Sequence, residues 1–181
     1  TVSGSGFTHV PGGAEYADKS VFSFHYYCWW WSEDDEFTKQ TCDRGFGERV
    51  FNQVQEDVRM LGGSSMMTEW GLGCDPTYGV TDECDPIMNL ADSHLVSWID
   101  WWWTGPLMSG WNAKPEAIAV YSRTFAQSIA GTPTSMKYNA ETLDFKLCYT
   151  IDSTITQPTE IYVNNDIHYV KGVNVRLTGS G

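Results

Sequence analysis

The chain has 181 residues, with 11 basic and 23 acidic side chains and a formal charge of −12. That length suits one ordinary domain or two small ones. The negative balance argues against a nucleic-acid partner, because phosphate binding needs a positive face. No apolar run approaches the roughly 20 residues that a membrane helix needs, so no transmembrane segment is expected.

The chain opens on the polar, glycine-rich TVSGSGFTHVPGG, which does not read as a signal peptide. It lacks an initial Met and closes on RLTGSG, so both ends read as cuts through a longer polypeptide. KSVFSFHYY, rich in Val, Phe and Tyr, predicts a strand over residues 19–27. An aromatic and acidic loop follows, with the run SEDDE as a solvated segment. In GERVFNQVQEDVRMLGG, Val50, Phe51, Val54, Val58 and Leu61 recur at helical spacing, and Gly62 and Gly63 stop the helix. SSMMTEW reads as a short buried strand that ends on a carboxylate, Glu69. A proline-bearing loop leads to IMNLADSHLVSW, which has a helical period, and SWIDWWW reads as another strand. KPEAIAVYSRTFAQSIAG predicts a helix over residues 114–131, with Pro115 in its first turn and Gly131 at its end.

Strand and helix therefore alternate up to Gly131, the pattern of parallel strands joined by crossover helices. Beyond it, TPTSMKYN, LDFKLCYTI, TEIYVN and VNVRLTG are short alternating strands separated by turn signals, the pattern of an antiparallel β-sandwich. The expected division is residues 1–131 for the β/α part and 132–181 for an incomplete sandwich. A β/α barrel needs eight strands and about 250 residues. The strands here would leave unpaired edges and an uncovered apolar face, so the missing part must come from upstream sequence or another chain.

The five cysteines suggest two local pairs, Cys28 with Cys42 and Cys74 with Cys84, and leave Cys148 as a buried free thiol. Each pair would close a short loop and stabilise by roughly 3 kcal/mol in the chain-entropy model. Spacing alone does not decide the connectivity. It does not match a zinc site either, and no metal or organic cofactor is implied. Disulfides point to an oxidising compartment, secreted or lysosomal.

Function in a β/α barrel sits at the C-terminal ends of its strands. Three such ends are visible: His25, Tyr26 and Tyr27; Glu69; and Asp100 to Trp103. A carboxylate is costly in a core but acceptable at the mouth of a barrel, where a tyrosine hydroxyl and an imidazole can hold it ionised. Strand alternation puts Tyr27, rather than Tyr26, on the side of His25.

Several segments carry a resemblance: GFTHVPGG with SVFSFHYYCWW, MTEWG, DSHLVSWIDWWW, and YSRTFAQSIAGTPTSMKYNAETLDFKLCYTID. With PTEIYVNNDIHYVKGVNVRLTGSG, the chain resembles the endoglycoceramidases and, beyond them, glycoside hydrolase family five. That resemblance implies the C-terminal part of a (β/α)8 TIM barrel, strands six to eight, followed by the appended sandwich. It implies Glu69 as the catalytic nucleophile, and His25 and Tyr27 as site-lining residues, the tyrosine bonded to the nucleophile. Trp101 would be the tryptophan under the sugar. The plainer alternatives are a core histidine at His25 and barrel packing at Trp101. Asp92 and His94 are assigned to the helix surface and scaffold. The implied reaction is retaining hydrolysis of a glycosphingolipid to a free glycan and a ceramide, with contact to a membrane surface left open. The family's acid/base glutamate follows an asparagine, and this chain has no Asn-Glu dipeptide. The chain alone is thus expected to be inactive, with the N-terminal half of the same precursor as its partner. The competing expectation is a non-catalytic structural or glycan-binding protein on the same fold.

Overall fold

The computed structural model describes residues 2–27, 45–71, 84–101, 108–109 and 112–179. A 3-10 helix over Ala14–Lys19 leads into strand β1 (Val21–His25). Helix α1 (Glu48–Leu61), strand β2 (Ser64–Glu69), helix α2 (Cys84–Ser93) and strand β3 (Ser97–Trp98) follow. The strands form a three-stranded sheet in the order β1-β2-β3, with both pairings parallel. This is the crossover arrangement expected of part of a β/α barrel.

The apolar residues sort as the periodicities require. Along β1, Val21, Ser23 and His25 are exposed while Phe24 is buried. Phe51 and Val54 of α1 pack under the sheet, where Phe51 meets Phe24 edge-on at 5.3 Å and Tyr26 at 5.9 Å. Met67, Trp70, Ile87, Met88 and Val96 complete this core. The opposite face stays open, with Val21 and Ile99 each 52% exposed. Gly62 ends α1 at φ 83°, a conformation that glycine adopts without Cβ strain, and its N–H donates to the Val58 carbonyl.

The third strand is shorter than the sequence predicts, two residues rather than a run to Trp103. Its backbone still tracks β2, because Ile99 N–H donates to the Met67 carbonyl and Trp101 N–H to the Trp70 carbonyl. Trp102 and Trp103 lie outside the described residues, as do Trp29 to Trp31. A small hairpin, β4 (Met108–Ser109) with β5 (Asn112–Ala113), was not legible in the sequence.

The next helix, α3, spans Pro115–Tyr121, and the expected continuation to Gly131 is corrected. Residues 125–128 form β6 (Phe125–Ser128), which pairs antiparallel with β9 (Glu160–Tyr162). Strand β7 (Gly131–Tyr138) pairs antiparallel with β8 (Phe145–Ile151). The last predicted strand, VNVRLTG, has no strand structure. Tertiary pairing overrides helical periodicity at Phe125, and the side chain of Arg123 is drawn inward just where the helix stops.

Arg123 is 4% exposed. It donates to Asp85 at 2.7 Å, Asn89 at 2.6 Å and Asp92 at 2.8 Å, all on α2, and its guanidinium lies 4.8 Å from the centre of the Tyr138 ring on β7. Asp92 is therefore buried under this cluster rather than on the helix surface. His94 contacts Glu48 at 3.2 Å and so joins α2 to α1. His168 donates to the Ala119 carbonyl at 2.9 Å, and Tyr169 donates to the Leu143 carbonyl at 2.8 Å. These bonds fix the C-terminal strands against α2 and α3. Cys148 in β8 is free and half-buried.

Burial pushes the Asp92 carboxyl upward, and the Arg123 charge pulls it partly back. Replacing Arg123 by Met strands that carboxylate, a change that costs about 3–5 kcal/mol for buried pairs. A carboxyl raised in the folded state favours folding at low pH and penalises it as pH rises through its folded value. Urea melts of Arg123→Met should therefore show a large deficit at neutral pH that narrows toward acid pH.

Candidate active site

The end of β1 meets Glu69 at the end of β2, and a break in strand register aims it. Phe24 pairs with Met67, but His25 pairs with Glu69, so Thr68 is an extra residue in β2. In an unbroken strand, residues two apart share a face. Glu69 would then follow Met67, which is fully buried, into the helix-covered core. The bulge turns it to the side of His25. Such bulges re-aim side chains next to functional sites. The bulge residue is itself held, since the Thr68 hydroxyl bonds the Ser23 hydroxyl at 2.5 Å and reaches the Phe24 carbonyl at 3.4 Å. Tyr26 N–H donates to the Glu69 carbonyl at 3.0 Å, closing the ladder beyond the bulge.

Two side chains meet one oxygen of Glu69. Tyr27 OH donates to Oε2 at 3.1 Å, and His25 Nδ1 lies 3.1 Å from the same atom. Oε1 has no such contact among the described residues. The Glu69 side chain is 27% exposed and that of His25 is 50% exposed, so the cluster opens to solvent on one side. Tyr26 turns the other way, into the core, at 2% exposure. Trp101 is about half exposed, and its backbone bond to Trp70 sets it beside the turn that follows Glu69.

Burial pushes the Tyr27 phenol up to about 12, helped by its bond to Glu69 and by the charges of Glu69 and Asp100. Tyr27 thus remains a donor throughout the neutral range. Asp100 accepts from Tyr121 OH at 3.1 Å, and burial raises its carboxyl while that bond lowers it. Among the described residues, no cluster of three or more His, Cys, Asp or Glu is placed to hold a metal ion. Nor is any helix there long and apolar enough to cross a membrane. Of the cysteine candidates, Cys84 is buried at the start of α2, and Cys28, Cys42 and Cys74 lie outside the described residues.

Sequence reasoning missed the bulge, the Asp100–Tyr121 bond and the buried Arg123 cluster. A signal for the first was present, because MMTE puts Met67 and Glu69 on one parity while their chemistry demands opposite sides. A phenol raised in the folded state contributes stability that is complete below its unfolded value near 10 and is lost as pH climbs through about 12. The phenolate absorbance assigned by difference against Tyr27→Phe should accordingly rise near pH 12. In Glu69→Gln it should rise at lower pH, because one of the charges opposing ionisation is gone.

Comparison with known proteins bears on both parts of the chain. Residues 123–181 match the glycoside hydrolase family 5 C-terminal domain. An endoglycoceramidase of Hydra vulgaris is 30% identical over 184 aligned residues, covering 95% of this chain and 32% of the relative. An endoglycoceramidase of Cyanea nozakii is 26% identical, covering 96% of this chain and 35% of the relative. The chain thus spans about a third of the length of the curated relatives it matches. Endo-glycoceramidase II from Rhodococcus sp., solved as its lactosyl–enzyme intermediate, shares the fold at a TM-score of 0.61 and 18% identity, covering 80% of this chain and 32% of that one. The resemblance read from the sequence is borne out: this chain is similar to endoglycoceramidases over nearly all its length, and residues 123–181 match the glycoside hydrolase family 5 C-terminal domain.

Proposed function

We propose that this chain carries the nucleophile half of a retaining glycosidase that cleaves the glycan–ceramide bond of glycosphingolipids. The observation that carries this reading is the pair of groups converging on one oxygen of Glu69, while the other oxygen has no such contact among the described residues. A carboxylate oriented in this way can attack an anomeric carbon through its second oxygen. Tyr27 and His25 hold the nucleophile, and Trp101 offers an indole face to the sugar. The lactosyl–enzyme intermediate of the Rhodococcus relative supports a covalent glycosyl-enzyme in this fold. Such an intermediate is the mark of the retaining route, in which two carboxyl groups stand about 5 to 5.5 Å apart.

The second carboxyl, the acid/base, comes in this reading from sequence outside these residues. The 181-residue chain by itself is therefore inactive. The antiparallel pairs β6–β9 and β7–β8 belong to an appended sandwich. The cysteine pairs of this reading are Cys28 with Cys42 and Cys74 with Cys84. The working compartment is secreted or lysosomal, where such bonds persist.

The test uses the full-length polypeptide that contains this chain, with a ganglioside as substrate. The wild type should release the intact glycan, and a slow fluorosugar substrate should leave a covalent glycosyl adduct on the peptide bearing Glu69, read by mass spectrometry. Glu69→Gln should form neither product nor adduct. Glycan binding by the wild type without any release would instead identify a non-catalytic binding protein on this fold.

A further inference from the structure

Asp100 stands two residues past β3. Its neighbour Trp101 donates from its backbone to the Trp70 carbonyl at 2.7 Å, which ties this segment to the turn directly after Glu69. Gly71 in that turn has φ +132°, and a Cβ there would fall 2.7 Å from Asp100 Oδ1 and 2.9 Å from the Trp101 carbonyl oxygen. The glycine backbone is thus packed directly on the carboxyl. From the far side, Tyr121 of α3 donates to Oδ1 at 3.1 Å. The second oxygen, Oδ2, is buried and has no hydrogen-bond partner among the described residues.

A buried carboxyl oxygen without a partner costs stability, and an apolar side chain would avoid that cost. Violations of this kind concentrate where function demands them. Asp100 also contributes to holding the Tyr27 phenol protonated, so it shares an electrostatic neighbourhood with the Tyr27–Glu69 pair.

We propose that Asp100 is a positioning residue for this site: braced by Tyr121, its carboxyl fixes the turn behind Glu69 and the backbone of Trp101. The proposal rests on the glycosidase reading above. It makes α3 the support of both the nucleophile and the sugar platform. Asp100 acts through its acceptor oxygen and its shape, touching no substrate.

Steady-state kinetics on a ganglioside, with the full-length polypeptide, test this. Asp100→Ala should lower kcat by about tenfold or more with little change in KM, as expected for misplaced reacting groups. Asp100→Asn keeps the acceptor oxygen and should restore most of the rate. Tyr121→Phe, which removes one hydroxyl, should fall between them. An Asp100→Ala enzyme with wild-type kcat, or an Asp100→Asn enzyme as slow as Asp100→Ala, overturns the proposal. If Asp100→Ala does not fold, Tyr121→Phe and Gly71→Ala decide the matter, and wild-type kcat in both overturns it. A wild type that releases no glycan sinks the glycosidase reading itself, whereas an active wild type with indifferent variants sinks only the role of Asp100.

Discussion

One extra residue in a strand governs this molecule. Strand geometry alternates side chains with a period of two, and β2 must serve two masters: Met67 belongs in the core and Glu69 at an open face. No regular strand satisfies both. Thr68 resolves the conflict by standing out of register opposite the Phe24–His25 step, and its hydroxyl is secured by Ser23 and by the Phe24 carbonyl. With Thr68 in register, the carboxylate would be carried into an apolar layer where its charge has no partner.

The neighbouring strands supply what the bulge makes reachable. His25 and Tyr27 come from the end of β1 and meet one oxygen of Glu69, while Tyr26 between them anchors that end in the core against Phe46 and Phe51. A strand end with alternate residues in rigid packing holds its polar residues more firmly than a loop would. On the other side, the backbone bond between Trp101 and Trp70 binds the third strand end to the same turn. Two chain segments thus supply one small polar cluster, a third is tied to the turn beside it, and the packed elements limit its motion.

Behind the cluster the packing becomes ionic. The guanidinium of Arg123 closes α2 to the start of the C-terminal strands with three charged or amide acceptors and an aromatic face. A buried cluster of this kind contributes less net energy than an apolar one of equal volume, but its bond directions admit few alternative dockings. The site face and the C-terminal strands are therefore referred to the same frame: α2 carries the cluster, and α3 carries Tyr121 toward Asp100.

The chain order of strand and helix, the parallel character of the first sheet, and the antiparallel character of the last strands were all legible from periodicity, because burial of apolar faces imposes it locally. Glu69, His25 and Tyr27 could be singled out because strand ends in such folds carry chemistry. What the linear pattern could not decide were relations between distant segments. The helix predicted through Gly131 stops at Tyr121 because Phe125 finds Tyr162 across a sheet and Arg123 finds acids on α2. Asp92 looked like a surface residue because its partner lies 31 positions away. Local periodicity reports which face of an element is apolar; only the assembled structure reports which polar group waits on the other side, and that pairing set the register of β2, the end of α3 and the surroundings of Glu69.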